Sequence, residues 1–140
     1  MIKNLILTGG QIRGLGYIGV LKAMEELNIL PYIENICGIS SGSIFALTYC
    51  LEFNSKELKD LVLKVNIDDL KENYSENLFK IIYDYGLDSG IKFERLIKIV
   101  LKKKLGNENS TFQDLHNFNP KKNLTVVGSN LTTMKTEYFS

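Results

Sequence analysis

An α/β fold, with a mainly parallel sheet between two helical layers, is what three features of this 140-residue chain predict. Two strand-glycine-helix junctions follow one another within residues 2–51. A block of amphipathic helical stripes comes next, and a further strand pair closes the chain. Successive β-α-β-α units call for parallel strands joined by right-handed crossovers, with helices on both faces.

The first strand is read over residues 2–8, where Ile2, Leu5, Ile6 and Leu7 precede Gly9-Gly10. After the loop Gly9-Gly10-Gln11-Ile12-Arg13-Gly14, an amphipathic helix starts at Leu15. Leu15, Ile18, Leu21, Met24 and Leu27 recur at helical spacing. Gly16 and Gly19 each cost that helix about 1 kcal/mol relative to alanine, so close packing on the sheet is expected to compensate. Pro31 biases the chain toward an extended second strand over residues 32–37, entering the core through Ile36 and Cys37. The apolar run over residues 44–51 then reads as a buried helix.

Asn54 and Glu57 have the spacing of a reciprocal helix cap ahead of the stripe Leu58, Leu61, Val62 and Val65. A polar link over residues 71–76 leads to a second stripe, Leu78, Ile81, Ile82 and Tyr85, stopped by Gly86. A third stripe, Phe93, Leu96, Ile97, Val100 and Leu101, ends at Gly106. Residues 111–116 are expected to form one short helical turn. Residues 123–128 read as a third strand, 132–135 as a turn and 136–139 as the strand pairing back.

Composition excludes more than it selects. A net charge of +1 gives no global argument for nucleic acid, and no nucleic-acid motif or aromatic interleaving with the basic residues is present. Residues 92–104 are locally basic, with Lys92, Arg95, Lys98, Lys102, Lys103 and Lys104 against Glu94. That face fits either anionic lipid at a membrane periphery or plain solvent. Cys37 and Cys50, without CxxC spacing or a histidine nearby, read as reduced thiols ahead of a disulfide or a metal pair. No apolar run has the length of a membrane span or a signal peptide, so a cytoplasmic location is expected.

Chemistry concentrates at Gly38-Ile39-Ser40-Ser41-Gly42. A serine between a strand and an apolar helix, flanked by small residues, suits a nucleophile elbow; a tight structural turn is the bland alternative. Parallel strands would bring the Gly9-Gly10 loop to the same sheet edge, where its N–H groups could stabilise an oxyanion. A dinucleotide-binding domain is the poorer reading. Gln11 breaks the G-x-G-x-x-G pattern, and Gly38-Ile39-Ser40 stands where an acidic ribose ligand belongs.

With both glycine motifs, Gly9-Gly10-Gln11-Ile12-Arg13-Gly14 and Gly38-Ile39-Ser40-Ser41-Gly42, and with the strand and hairpin over residues 124–140, the chain resembles the patatin-like phospholipase family over nearly its whole length. The resemblance implies a lipid acyl hydrolase of the phospholipase A type. Ser40 would be its nucleophile, Gly38 and Gly42 its elbow glycines, and residues Gly9, Gly10, Gln11, Ile12, Arg13 and Gly14 its oxyanion loop, lined by the amides around Gly10, Gln11 and Ile12. It also implies a Ser-Asp dyad, a lipid or phospholipid substrate, and no metal or cofactor. His116, the only histidine, is then a surface or structural residue. Arg13 anchors either the loop or an anionic head group, or is simply solvated.

Two departures from the family pattern shape the expectations. Gln11 stands at a usual glycine, which strains it if that position needs positive φ. None of Asp60, Asp68, Asp69, Asp84, Asp88 or Asp114 is followed by glycine, so the family's Asp-Gly motif is missing. Residues 1–140 are therefore expected to be the N-terminal portion of a longer domain whose catalytic aspartate lies beyond Ser140. On its own this portion should be nearly inactive and should expose apolar sheet surface. The alternative of another class is a non-catalytic lipid-binding or scaffold module of the same fold.

Overall fold

The computed structural model describes residues 2–64 and 89–140. Four strands form one sheet in the order β1 (Asn4–Leu7), β2 (Asn35–Ile39), β3 (Asn123–Asn130) and β4 (Lys135–Phe139). The first three are mutually parallel and β4 returns antiparallel to β3, giving the mainly parallel sheet of an α/β fold. Register is marked by asparagines at the start of each parallel strand. Asn35 Nδ2 donates to Asn4 Oδ1 (2.8 Å), and Asn123 Nδ2 donates to Asn35 Oδ1 (3.0 Å).

Strand alternation sets the two faces. Leu5, Leu7, Ile36, Gly38, Leu124 and Val126 lie on the side packed by helix α2 (Ser41–Cys50), whose Phe45, Ala46, Tyr49 and Cys50 are buried. Helix α1 (Tyr17–Glu26) adds Leu21 and Met24 to that core, and helix α3 (Ser55–Lys64) adds Leu58. The opposite face carries Ile6, Ile39 and Tyr138, all exposed.

The glycine loop is more ordered than its composition implies. Gln11–Gly16 forms a 3₁₀ turn that runs into α1 at Tyr17, two residues later than expected from the periodicity. The packing expected of Gly16 and Gly19 is not found. A Cβ at either position meets nothing within 4 Å, so neither glycine is there for close approach. Gly19→Ala should accordingly raise stability by about 1 kcal/mol, read as a higher urea midpoint at unchanged slope.

Pro31 acts within a short 3₁₀ turn, Leu30–Tyr32, because its fixed φ suits a helical first turn as well as an extended chain. The second strand therefore starts at Asn35 and runs on to Ile39, immediately before Ser40. Lys122 fixes this connection to β3, its Nζ donating to the carbonyls of Leu30 (2.6 Å) and Ile33 (2.7 Å). Burial of that ammonium pulls its pKa below the ordinary lysine value.

Caps bound the remaining helices. Ahead of α3, Glu57 N–H donates to Asn54 Oδ1 (2.8 Å) and Asn54 N–H donates to Glu57 Oε2 (3.0 Å). Helix α4 (Ile91–Leu105) ends at Gly106, whose φ of 76° is the left-handed stop that glycine favours. Helix α5 (Phe112–Phe118) exceeds the single turn expected because Thr111 and Asp114 form a full capping box. The stripe at 78–85, its stop at Gly86, the link at 71–76 and Val65 lie outside the described residues.

Lys104 Nζ reaches from α4 to Glu57 Oε2 at 3.0 Å, so one carboxylate serves both the α3 cap and an inter-helix ion pair. The Asn54 amide, then Lys104, hold the Glu57 carboxyl below its usual range. A depressed folded-state pKa contributes stability that is present above the unfolded carboxylate value and is lost as pH falls through the folded one. Glu57→Gln should cost about 1 kcal/mol at neutral pH. The gap from the parent in thermal midpoint should close as pH drops below the ordinary carboxylate range.

Candidate active site

Ser40 occupies the single residue between β2 and α2, with φ 54° and ψ −130°. A non-glycine residue there stores on the order of 1–3 kcal/mol, held by the strand and the helix on either side. The strain falls on Ser40 itself. Neither Gly38 nor Gly42 has positive φ, so their contribution is close approach alone. A Cβ on Gly38 would lie 2.4 Å from Ser43 Cα and 2.9 Å from Ala46 Cβ. A Cβ on Gly42 would lie 2.1 Å from the Leu7 carbonyl oxygen. The two glycines let α2 descend onto β2 and β1, and that descent leaves Ser40 exposed at the carboxyl edge of the sheet.

The loop after β1 arrives at the same edge. A Cβ on Gly9 would stand 2.9 Å from Ser40 Cβ and 3.3 Å from Ser40 Oγ, so only glycine lets this backbone run against the serine. Gly10 N–H donates to Ser41 Oγ (3.0 Å), and Gly14 packs beneath, where a Cβ would be 3.1 Å from the same oxygen. Gln11 has φ 51°, the positive value that a glycine would adopt without strain. Ile12 and Arg13 are exposed on the following turn, with Arg13 N–H donating to Gly10 O (3.0 Å). Of the residues singled out in the sequence, the fold thus gathers Ser40, Gly9, Gly10, Gly14, Gly38 and Gly42, while Ile12 and Arg13 turn outward.

Sequence reasoning missed the clamp and the cavity. Ser41, one residue past the serine, ties the glycine loop to the first turn of α2. Beside Ser40 and Ser43 opens a cavity of about 330 Å³, lined by Leu47, Ile97, Leu101, Leu115, Leu124 and Val126, with Phe93 and Phe112 also on its wall. Its lining is almost entirely apolar. The spacing Phe93-Ile97-Leu101 was the available signal: one helical row facing inward, read from the sequence as covering only.

Among the described residues, charged groups stand apart from this cavity. His116 lies on the exposed side of α5 and does not line it, and Asp114 is engaged by Thr111. Burial pushes the Cys50 thiol up to about 12, which keeps it protonated, and both cysteines are free. Among the described residues no group of His, Cys, Asp and Glu could hold a metal ion, and no helix is long and apolar enough to cross a membrane.

Comparison with known proteins identifies the family and the fold. The family model for patatin-like phospholipase matches residues 5–140. An uncharacterized protein of Acanthamoeba polyphaga mimivirus is 29% identical over 140 residues, covering 99% of this chain and 46% of its own length. Triacylglycerol lipase 5 of Saccharomyces cerevisiae is 37% identical over 81 residues, 53% of this chain and 10% of the yeast protein. A chain of the ExoU–SpcU complex from the type III secretion system of Pseudomonas aeruginosa shares the fold at a TM-score of 0.67 and 24% identity, over 98% of this chain and 34% of that one. The chain thus spans less than half the length of these relatives. On the match over residues 5–140, it belongs to the patatin-like phospholipase family.

Proposed function

We propose that the chain carries the nucleophile and oxyanion loop of a lipid acyl-ester hydrolase. The observation that supports it most is the position of Ser40, strained and exposed between β2 and α2, against Gly9 and at the wall of an apolar cavity. In this reading the Ser40 hydroxyl attacks the ester carbonyl and gives up its proton to a base. The acyl chain lies along Leu47, Ile97 and Leu101. Charge developing on the carbonyl oxygen is met by the N–H groups of Gly10 and Ser41, the first exchanging its Ser41 Oγ acceptor for the oxyanion. The alcohol leaves with a proton, and water then releases the acid and restores Ser40.

The base is proposed to be an aspartate beyond Ser140, by resemblance to the family's Ser-Asp dyad. No carboxylate lines the cavity among the described residues, and no aspartate in the sequence precedes a glycine. A non-catalytic lipid-binding or scaffold role is the competing reading. Labelling of the full-length protein by a fluorophosphonate, followed by peptide mapping, separates the two. Modification of Ser40 together with hydrolysis of a p-nitrophenyl acyl ester is the expected result. An unlabelled Ser40 in a folded full-length protein would leave the scaffold role standing.

A further inference from the structure

Building on the hydrolase reading above, we propose that Tyr17 is a positioning residue for the oxyanion loop, its hydroxyl fixing the loop's first peptide while Ser41 fixes the second. Tyr17 Oη donates to the Thr8 carbonyl oxygen (2.9 Å), and Thr8 Oγ1 stands 3.4 Å from the same hydroxyl. The next peptide is held from its other end, where Gly10 N–H donates to Ser41 Oγ (3.0 Å). A trans peptide is planar, so restraining its carbonyl or its N–H restrains the whole plane. Between these two planes lie only the φ and ψ of Gly9. Glycine has more conformations open to it than any other residue and loses the most freedom when it is ordered. Yet Gly9 cannot be replaced by a stiffer residue, because a Cβ there would stand 2.9 Å from Ser40 Cβ. The position that must be glycine is thus the one that most needs its neighbours held.

Both restraints run back to α2. Ser41 is the first residue of that helix, directly after Ser40. Tyr17 is tied to it one and two turns further along. Its ring packs on Phe45 with centroids 5.5 Å apart and planes tilted by 56°, and its main-chain carbonyl accepts the Tyr49 hydroxyl. Phe45 and Tyr49 share one helix face by their four-residue spacing. The nucleophile and both loop peptides are therefore referenced to a single helix, and a shift of α2 carries all three together. Preorganised donors are what an oxyanion hole contributes, and losing one outright costs about 10²–10³ in rate, so a donor left loosely placed forfeits part of that. A residue needed only to fill space would serve equally well as phenylalanine, since the ring contact with Phe45 does not involve the hydroxyl.

Steady-state hydrolysis of a p-nitrophenyl acyl ester by the full-length protein tests this role. Tyr17→Phe should lower kcat about tenfold at unchanged KM, because the apolar cavity still binds the ester and only stabilisation of the transition state is lost. Affinity for an alkyl trifluoromethyl ketone should fall by the same factor. Ser40 Oγ adds to the carbonyl carbon of that ketone, the serine proton passes to the base, and the carbonyl oxygen becomes the anion that the loop must hold. Ser41→Ala should behave alike, and the double variant should be about as slow as the slower single one, since freeing either plane already frees Gly9. An unchanged kcat and ketone affinity in Tyr17→Phe, whatever its thermal midpoint, would overturn the proposal and leave Tyr17 a packing residue. So would a double variant slowed by the product of the two single effects, which describes independent restraints. Ser40→Ala keeps the two readings apart. Turnover that it abolishes upholds the hydrolase reading whether or not Tyr17→Phe is slow, and turnover that survives it removes both.

Discussion

Ser40→Ala in the full-length protein should lower hydrolysis of a dispersed lipid ester by about 10⁴–10⁶-fold, the loss seen when an activated serine nucleophile is removed and only the binding groups remain. A second measurement distinguishes a nucleophile from a serine that merely holds the turn. Because φ is 54° at this position, glycine should fit it better than any residue with a Cβ. Ser40→Gly should be as inactive as Ser40→Ala but more stable by about 1 kcal/mol in urea unfolding, strain relief being partly offset by glycine's extra freedom in the unfolded chain. A protein that keeps a strained serine where glycine would be more stable holds it for its hydroxyl. Equal stability of the two variants would remove that argument, and an active Ser40→Ala would remove the assignment.

How much of this was legible in the sequence depended on the range of the interactions involved. The strand-turn-helix junction at Ser40 was legible because Gly38, Ser40 and Gly42 mark it within five consecutive residues, and Gly38 is required by contacts with Ser43 and Ala46 of the helix that follows, whereas the contact that requires Gly42 is with Leu7 of β1. The cap at Asn54 and Glu57 and the stop at Gly106 were legible for the same reason. What failed was longer in range. Gly16 and Gly19 were assigned a packing role, and only the placement of α1 against its neighbours shows that nothing approaches them. The cavity beside Ser40 joins α2 to α4, α5 and β3, elements far apart in the chain, so periodicity could show an apolar row on α4 without showing what it faced. The asparagine ladder was not visible, because the first two strands were read as starting at residues 2 and 32, and Asn4, Asn35 and Asn123 align only once the strands are known to be parallel and in that register.

Gly42→Ala should cost about 4 kcal/mol or more and leave little folded protein, the largest stability effect expected among the described glycines. The added methyl would sit 2.1 Å from the Leu7 carbonyl oxygen, 2.6 Å from its carbon and 2.8 Å from the Thr8 oxygen. All three are backbone atoms, so no rotamer change can make room. Either β1 must leave its register with β2, or α2 must lift and carry Ser40 away from the Gly9 loop. Overpacking that side chains can absorb typically costs about 1–3 kcal/mol, and Gly14→Ala, whose nearest neighbours are the Ser41 hydroxyl at 3.1 Å and the Phe45 ring at 3.2 Å, should fall in that range. Gly19→Ala, with open space around it, should stabilise. Thermal unfolding of the three variants therefore orders the glycines by what each is for. If Gly42→Ala instead melted within about 1 kcal/mol of the parent, the close seating of α2 on β1 would be wrong, and the position of Ser40 that depends on it would be wrong as well.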